Sequence, residues 1–160
     1  LKTIAIVLLT VIVLSTVFYV TIQNRNKDEI LIWHITTDSA NYFSEDVLKN
    51  INDYGKQNGF DRILLTKRHP DDKYFDVLMS TTMYYSSDIF IMREEIVQKY
   101  ADMDMFLPLS SDVKETEKLI YINGDAVGVL LYEDYYLLIN AKTKVDLKVL
   151  YDIPDILIEN

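Results

Sequence analysis

The stretch NGDAVGVLLYEDYYLLIN, residues 123–140, decides how this chain is read. Asparagine followed by glycine accepts positive φ at both centres of a tight turn, so the apolar runs 119–122 and 126–132 around Asn123-Gly124-Asp125 predict a β-hairpin. YYLLIN at 135–140 predicts one more strand.

Upstream, ILIWHI at 30–35 is a short apolar run expected to form a buried strand. Residues 36–43 read as a polar turn, and Ser44 as the N-cap of a helix with Glu45 and Asp46 at the positive end of its dipole. Val47, Leu48, Ile51 and Tyr54 recur at helical spacing, and Asn58-Gly59 supplies the stop. RILLT at 62–66 predicts a second strand. Pro70 suits a first helical position beside Asp71 and Asp72, with Tyr74, Phe75 and Leu78 expected inward. DIFIM at 88–92 reads as a third strand, and 94–100 as a short helix burying Ile96, Val97 and Tyr100. Alternation of this kind predicts an α/β fold with a mostly parallel sheet flanked by helices. The last twenty residues, with Val145, Leu147, Val149 and Leu150, fit a strand or a short helix.

Composition narrows the classes. The 160 residues are 49% hydrophobic, enough for a real core, and contain no cysteine, which excludes disulfide scaffolds, thiol catalysis and a cysteine-linked lipid. From Ile4 to Ile22 the chain runs nineteen residues without a charge. As a helix that run would reach about 28 Å, close to a bilayer's hydrocarbon core. A cleaved signal peptide would have a shorter apolar region and a small-x-small site, so residues 1–27 are expected to be an uncleaved single-pass membrane anchor and linker, with 28–160 one domain beyond it. Lys2 lies on one side of the run and Arg25 and Lys27 on the other, which leaves the orientation open. After Lys27 come thirteen basic and twenty-five acidic residues, a formal charge of −12 that disfavours nucleic acid and anionic lipid surfaces as partners.

Motifs for chemistry are few. The chain has no phosphate-binding glycine loop, GxSxG, HExxH or calcium loop, so neither catalysis nor a cofactor is expected. His34 and His69 stand 35 residues apart with no third ligand in view, giving no reason to expect a metal. Glu133-Asp134 is a carboxylate pair in sequence, but neighbours usually point apart, whereas glycoside hydrolysis needs two opposed carboxyls. Twelve tyrosines, six phenylalanines and Trp33 are a generous aromatic supply. Aromatic faces beside hydroxyls and carboxylates suit sugar binding, and the same rings can simply fill a core. For Tyr84 and Tyr136 the core reading is preferred; for Trp33 and Tyr132 both readings stand.

In order and spacing, residues 30–140 resemble the amino-terminal lobe of the bacterial extracellular solute-binding proteins of ABC importers, carbohydrate type. The resemblance rests on ILIWH at 30–34, a helix opening at Pro70, SDIFIM at 87–92, FLPL at 106–109 and, most specifically, the 123–140 stretch. It implies one lobe of a periplasmic-binding-protein-like fold with a ligand cleft at the carboxyl ends of the strands. It further implies ligand-binding roles for Trp33, His34, Thr36 and Asp38 after the first strand, Arg93 after the third, and Tyr132, Glu133 and Tyr135 in the hairpin region. The partners it implies are a small solute such as an oligosaccharide, and an ABC permease or a second-lobe fragment.

Two departures qualify that expectation. Family members are usually more than twice as long, carrying a second lobe, and are commonly tethered by a lipid on cysteine. The chain therefore reads as a truncated, membrane-tethered extracytoplasmic binding protein. The alternative is an interaction or sensor domain that keeps the lobe without its ligand.

Overall fold

The structure is a computed structural model and describes residues 28–38, 42–110 and 118–158. The expected anchor at 4–22 lies outside the described residues. Among those described, no helix is long and apolar enough to cross a membrane.

Most elements form where local chemistry places them. Strand β1 is Glu29–Ile35, followed by helix α1, Glu45–Gln57. The Ser44 hydroxyl accepts the Val47 N–H at 3.3 Å, Asn58 is the C-cap, and Gly59 takes a φ of 86° that leaves the helix. Strand β2 is Arg62–Arg68 and β3 is Ile89–Arg93, with helix α3 (Glu94–Lys99) directly after it. Strands β4 (Leu119–Ile122) and β5 (Asp125–Tyr132) close on the predicted turn, where Asn123 and Gly124 have φ of 53° and 94°. Strand β6 is Tyr135–Ile139, and the open question at the carboxyl end resolves to two short helices, α4 (Leu147–Tyr151) and α5 (Ile153–Ile158).

Helix α2 departs from its expected form. It covers 75–86 as a first turn Phe75–Leu78, a wider π-type turn Met79–Met83 and a last turn Tyr84–Ser86. Pro70 sits in a turn upstream, and Tyr74 is exposed instead of inward. The inward stripe is Phe75, Met79 and Met83, each at most 2% exposed. Four-residue spacing keeps these three in line, each contributing about 1.5–3 kcal/mol by leaving water, and that stripe turns Tyr74 away.

The expectation of a mostly parallel sheet is overturned. The six strands lie in the order β2-β1-β3-β6-β5-β4. β1 pairs in parallel with β2 and β3, but β3–β6, β5–β6 and β4–β5 are antiparallel. Short connections account for two of these pairs: β4, β5 and β6 are joined by two-residue turns, which can link only antiparallel neighbours, and β6 then enters beside β3 in the opposite direction. Parallel pairing is confined to strands separated by a helix.

The sheet carries a core on each face. Ile30, Ile32, Ile89, Ile91, Leu137 and Ile139 pack with Val47 and Ile51 of α1 and with Leu150, Ile153 and Leu157 of α4 and α5. Phe90, Met92 and Leu138 point the other way, onto α2 and α3. In the middle of β5, a Cβ on Gly128 would lie 2.9 Å from Ile120 Cγ2 and 3.0 Å from the Leu137 carbonyl oxygen. Gly128→Ala should therefore overpack the sheet and cost about 1–3 kcal/mol, read as a lower urea midpoint at constant m-value.

A buried polar cluster ties the amino-terminal ends of β1 and β3 to the end of β6. Asp88, 1% exposed, accepts the Leu31 N–H through Oδ2 at 2.9 Å and the Thr143 hydroxyl through Oδ1 at 2.7 Å. Asn140, fully buried, donates its amide to the carbonyls of Tyr84 and Ser87 at 2.7 and 2.8 Å and to Ser87 Oγ at 2.8 Å. Its own Oδ1 accepts the Lys142 N–H at 3.0 Å. Carbonyls left over at the end of α2 thus find a donor without water.

Candidate functional site

At the opposite end of the sheet, the carboxyl ends of β1 and β3 meet the β5–β6 turn. The register slips by one between Leu130 and Tyr132, so Tyr132 lies directly across from Tyr135, which in turn pairs with Arg93. A slip of this kind re-aims side chains at a sheet's rim. Here it brings two tyrosines onto one face with His34.

The contacts are specific. Tyr132 Oη lies 2.6 Å from His34 Nε2, and Tyr135 Oη lies 2.8 Å from Thr36 Oγ1. Thr36 Oγ1 also accepts the Asp38 N–H at 3.0 Å, which draws the chain leaving β1 over the site. The Tyr132 and Tyr135 rings stack at 4.7 Å between centroids, and the His34 ring meets both edge-on. Beyond Tyr135 sits the Arg93 guanidinium, 5.0 Å from the ring centre. Arg93 Nε makes an ion pair with Asp134 Oδ1 at 3.5 Å and no hydrogen bond.

Burial sets the protonation states. His34 is 1% exposed, and burial, helped by the Lys67 charge and opposed by Asp38, lowers its pKa to about 4. Burial raises the Tyr132 pKa well above the ordinary phenol value, aided by Tyr135, Tyr42, Asp38 and Glu133. At neutral pH a neutral imidazole therefore faces a protonated phenol. His34 Nδ1 is buried and has no hydrogen-bond partner.

Of the eight residues implied by the resemblance, His34, Thr36, Asp38, Arg93, Tyr132 and Tyr135 come together. Glu133 is exposed at the tip of the β5–β6 turn with a φ of 45° and faces solvent. Trp33 is not part of the cluster. It packs with the core on the other face, under the Arg68 guanidinium at 5.9 Å, because neighbouring residues of a strand point to opposite faces.

Two members escaped the sequence reading. Tyr42 stacks on the outer face of Tyr132, with centroids 3.4 Å apart and planes 12° from parallel, and Phe43 sits edge-on to Tyr132 and beside His34. Phe43 precedes the N-cap and packs in the same cluster as Leu48, as a hydrophobic staple does. That staple spacing was the available signal. Tyr42 and Phe43 also line a groove of about 230 Å³ with Val47, Leu131, Leu157 and Ile158.

Among the described residues, no group of three or more His, Cys, Asp or Glu side chains is arranged to hold a metal ion. No protein-family model matches the chain, and no curated protein matches it.

Proposed function

We propose that this chain is an extracytoplasmic solute-binding domain of the carbohydrate ABC-importer type, tethered to a membrane through residues 4–22. The observation that carries the reading is the gathering of His34, Thr36, Asp38, Arg93, Tyr132 and Tyr135 at the carboxyl end of β1 and β3. Open α/β sheets place ligands at that end. Phenol rings, an arginine and a carboxylate are the residue types that proteins set against the apolar face and the hydroxyls of a sugar ring. A neutral imidazole and a phenol whose pKa is raised suit recognition better than proton transfer near neutral pH.

The competing reading is an interaction or sensor domain with no small ligand. One observation favours it: the hydroxyls of Tyr132 and Tyr135 already have partners within the chain. Isothermal titration of the full chain, held in a detergent without a sugar headgroup, against malto-, cello- and xylo-oligosaccharides separates the two. The binding reading expects saturable heat with at least one of them, lost in Tyr132→Ala. Absence of heat throughout, with recovery of a dimer or a protein partner, replaces it with the interaction reading.

A further inference from the structure

Tyr132 has two ring faces, and both are taken by the protein itself. Tyr135 covers the inner one at 4.7 Å, as part of the hydrogen-bonded cluster with Thr36 and His34. Tyr42 covers the outer one, and the two contacts differ in kind. The Tyr42 ring lies almost squarely over Tyr132, whereas aromatic pairs prefer offset or edge-to-face arrangements. Tyr42 is 52% exposed, while Tyr135 is fully buried. Tyr42 is held by ring contacts, the stack on Tyr132 and an edge contact with Phe43 at 5.4 Å. Tyr42 also lines, with Phe43, Ser44, Val47 and Leu131, a groove of about 230 Å³, which gives its side chain open space to turn into.

We infer that Tyr42 is an internal competitor that occupies the ligand-stacking face of Tyr132 and is displaced when a flat, apolar-faced ring such as a pyranose binds. This inference rests on the sugar-binding reading proposed above and adds to it the residue that sets affinity. Displacement exchanges one ring contact for another, so apparent affinity is reduced by the fraction of molecules in which Tyr42 covers the face. A ring pair of ordinary strength imposes a reduction of about two- to tenfold.

The test compares wild type, Tyr42→Ala and Tyr42→Phe as full chains in a detergent without a sugar headgroup, titrated calorimetrically with the same oligosaccharides. Tyr42→Ala is expected to bind about two- to tenfold more tightly than wild type, and Tyr42→Phe to stay near wild type because its ring still covers Tyr132. Circular dichroism checks that each variant is folded; a misfolded Tyr42→Ala is replaced by Tyr42→Ser. In wild type, ligand should also shift the Tyr42 ring proton resonances away from their stacked position. Equal or weaker binding by Tyr42→Ala overturns the inference while leaving sugar binding intact. Absence of binding in all three variants overturns the inference and the sugar-binding reading together.

Discussion

Replacing Asn140 by alanine should lower the unfolding free energy by about 2–4 kcal/mol. The Asn140 amide is fully buried and donates to the Tyr84 carbonyl, the Ser87 carbonyl and Ser87 Oγ, while its oxygen accepts from the Lys142 N–H. Alanine removes both the donors and the acceptor and leaves those groups out of reach of water, so their desolvation is no longer offset. Asn140→Asp is a sharper form of the test. It keeps the shape but sets a carboxylate oxygen against two carbonyl oxygens, and should destabilise at least as much. Urea denaturation with unchanged m-value is the measurement, and a loss below about 1 kcal/mol for both variants would show that the cluster matters little.

The second large effect is a pH dependence centred on His34. In the unfolded chain its imidazole takes up a proton near its ordinary value of 6.5, whereas in the fold it stays neutral until about pH 4. Between those values the unfolded state binds more protons, so stability is full above pH 6.5 and falls as the pH drops toward 4. The slope is about 1.4 kcal/mol per pH unit, and the whole loss on the order of 3 kcal/mol. His34→Gln does not titrate and retains an acceptor for the Tyr132 hydroxyl, so its stability should be flatter across this window. Asp53 and Asp76, held below the ordinary carboxylate value by hydrogen bonds from Lys49 and Lys99, lose their contributions at lower pH and do not mimic the effect. Parallel slopes for wild type and His34→Gln between pH 4 and 6.5 would refute the assignment.

SDIF at 87–90 and the closing Asn140 were among the residues that carried the resemblance to solute-binding proteins. In the structure Ser87, Asp88 and Asn140 are scaffold: they close the end of the sheet away from the proposed site. Recurrent residues of this kind report how strands are tied together, so they speak for a framework more strongly than for a ligand. Trp33 and His34 are both implied as ligand-binding by the resemblance, yet strand alternation sends neighbouring side chains to opposite faces, and Trp33 packs with the core away from the cluster. The staple position before Ser44 marks Phe43 locally, but the contacts of Tyr42 and Phe43 with Tyr132 join positions some ninety residues apart and no local pattern carries them.

Local chemistry in the sequence determined most of the elements, though not the start and face of α2. Apolar runs, the Ser44 cap, the Asn58-Gly59 stop and the Asn123-Gly124 turn each act within a few residues, and each holds in the structure. The tertiary structure decided the order of the strands, the antiparallel insertion of β6 beside β3, and the face on which the aromatic cluster gathers. Those outcomes depend on pairings between distant strands, where several arrangements bury the same side chains equally well by local pattern. Only the packing of both sheet faces at once selects among them.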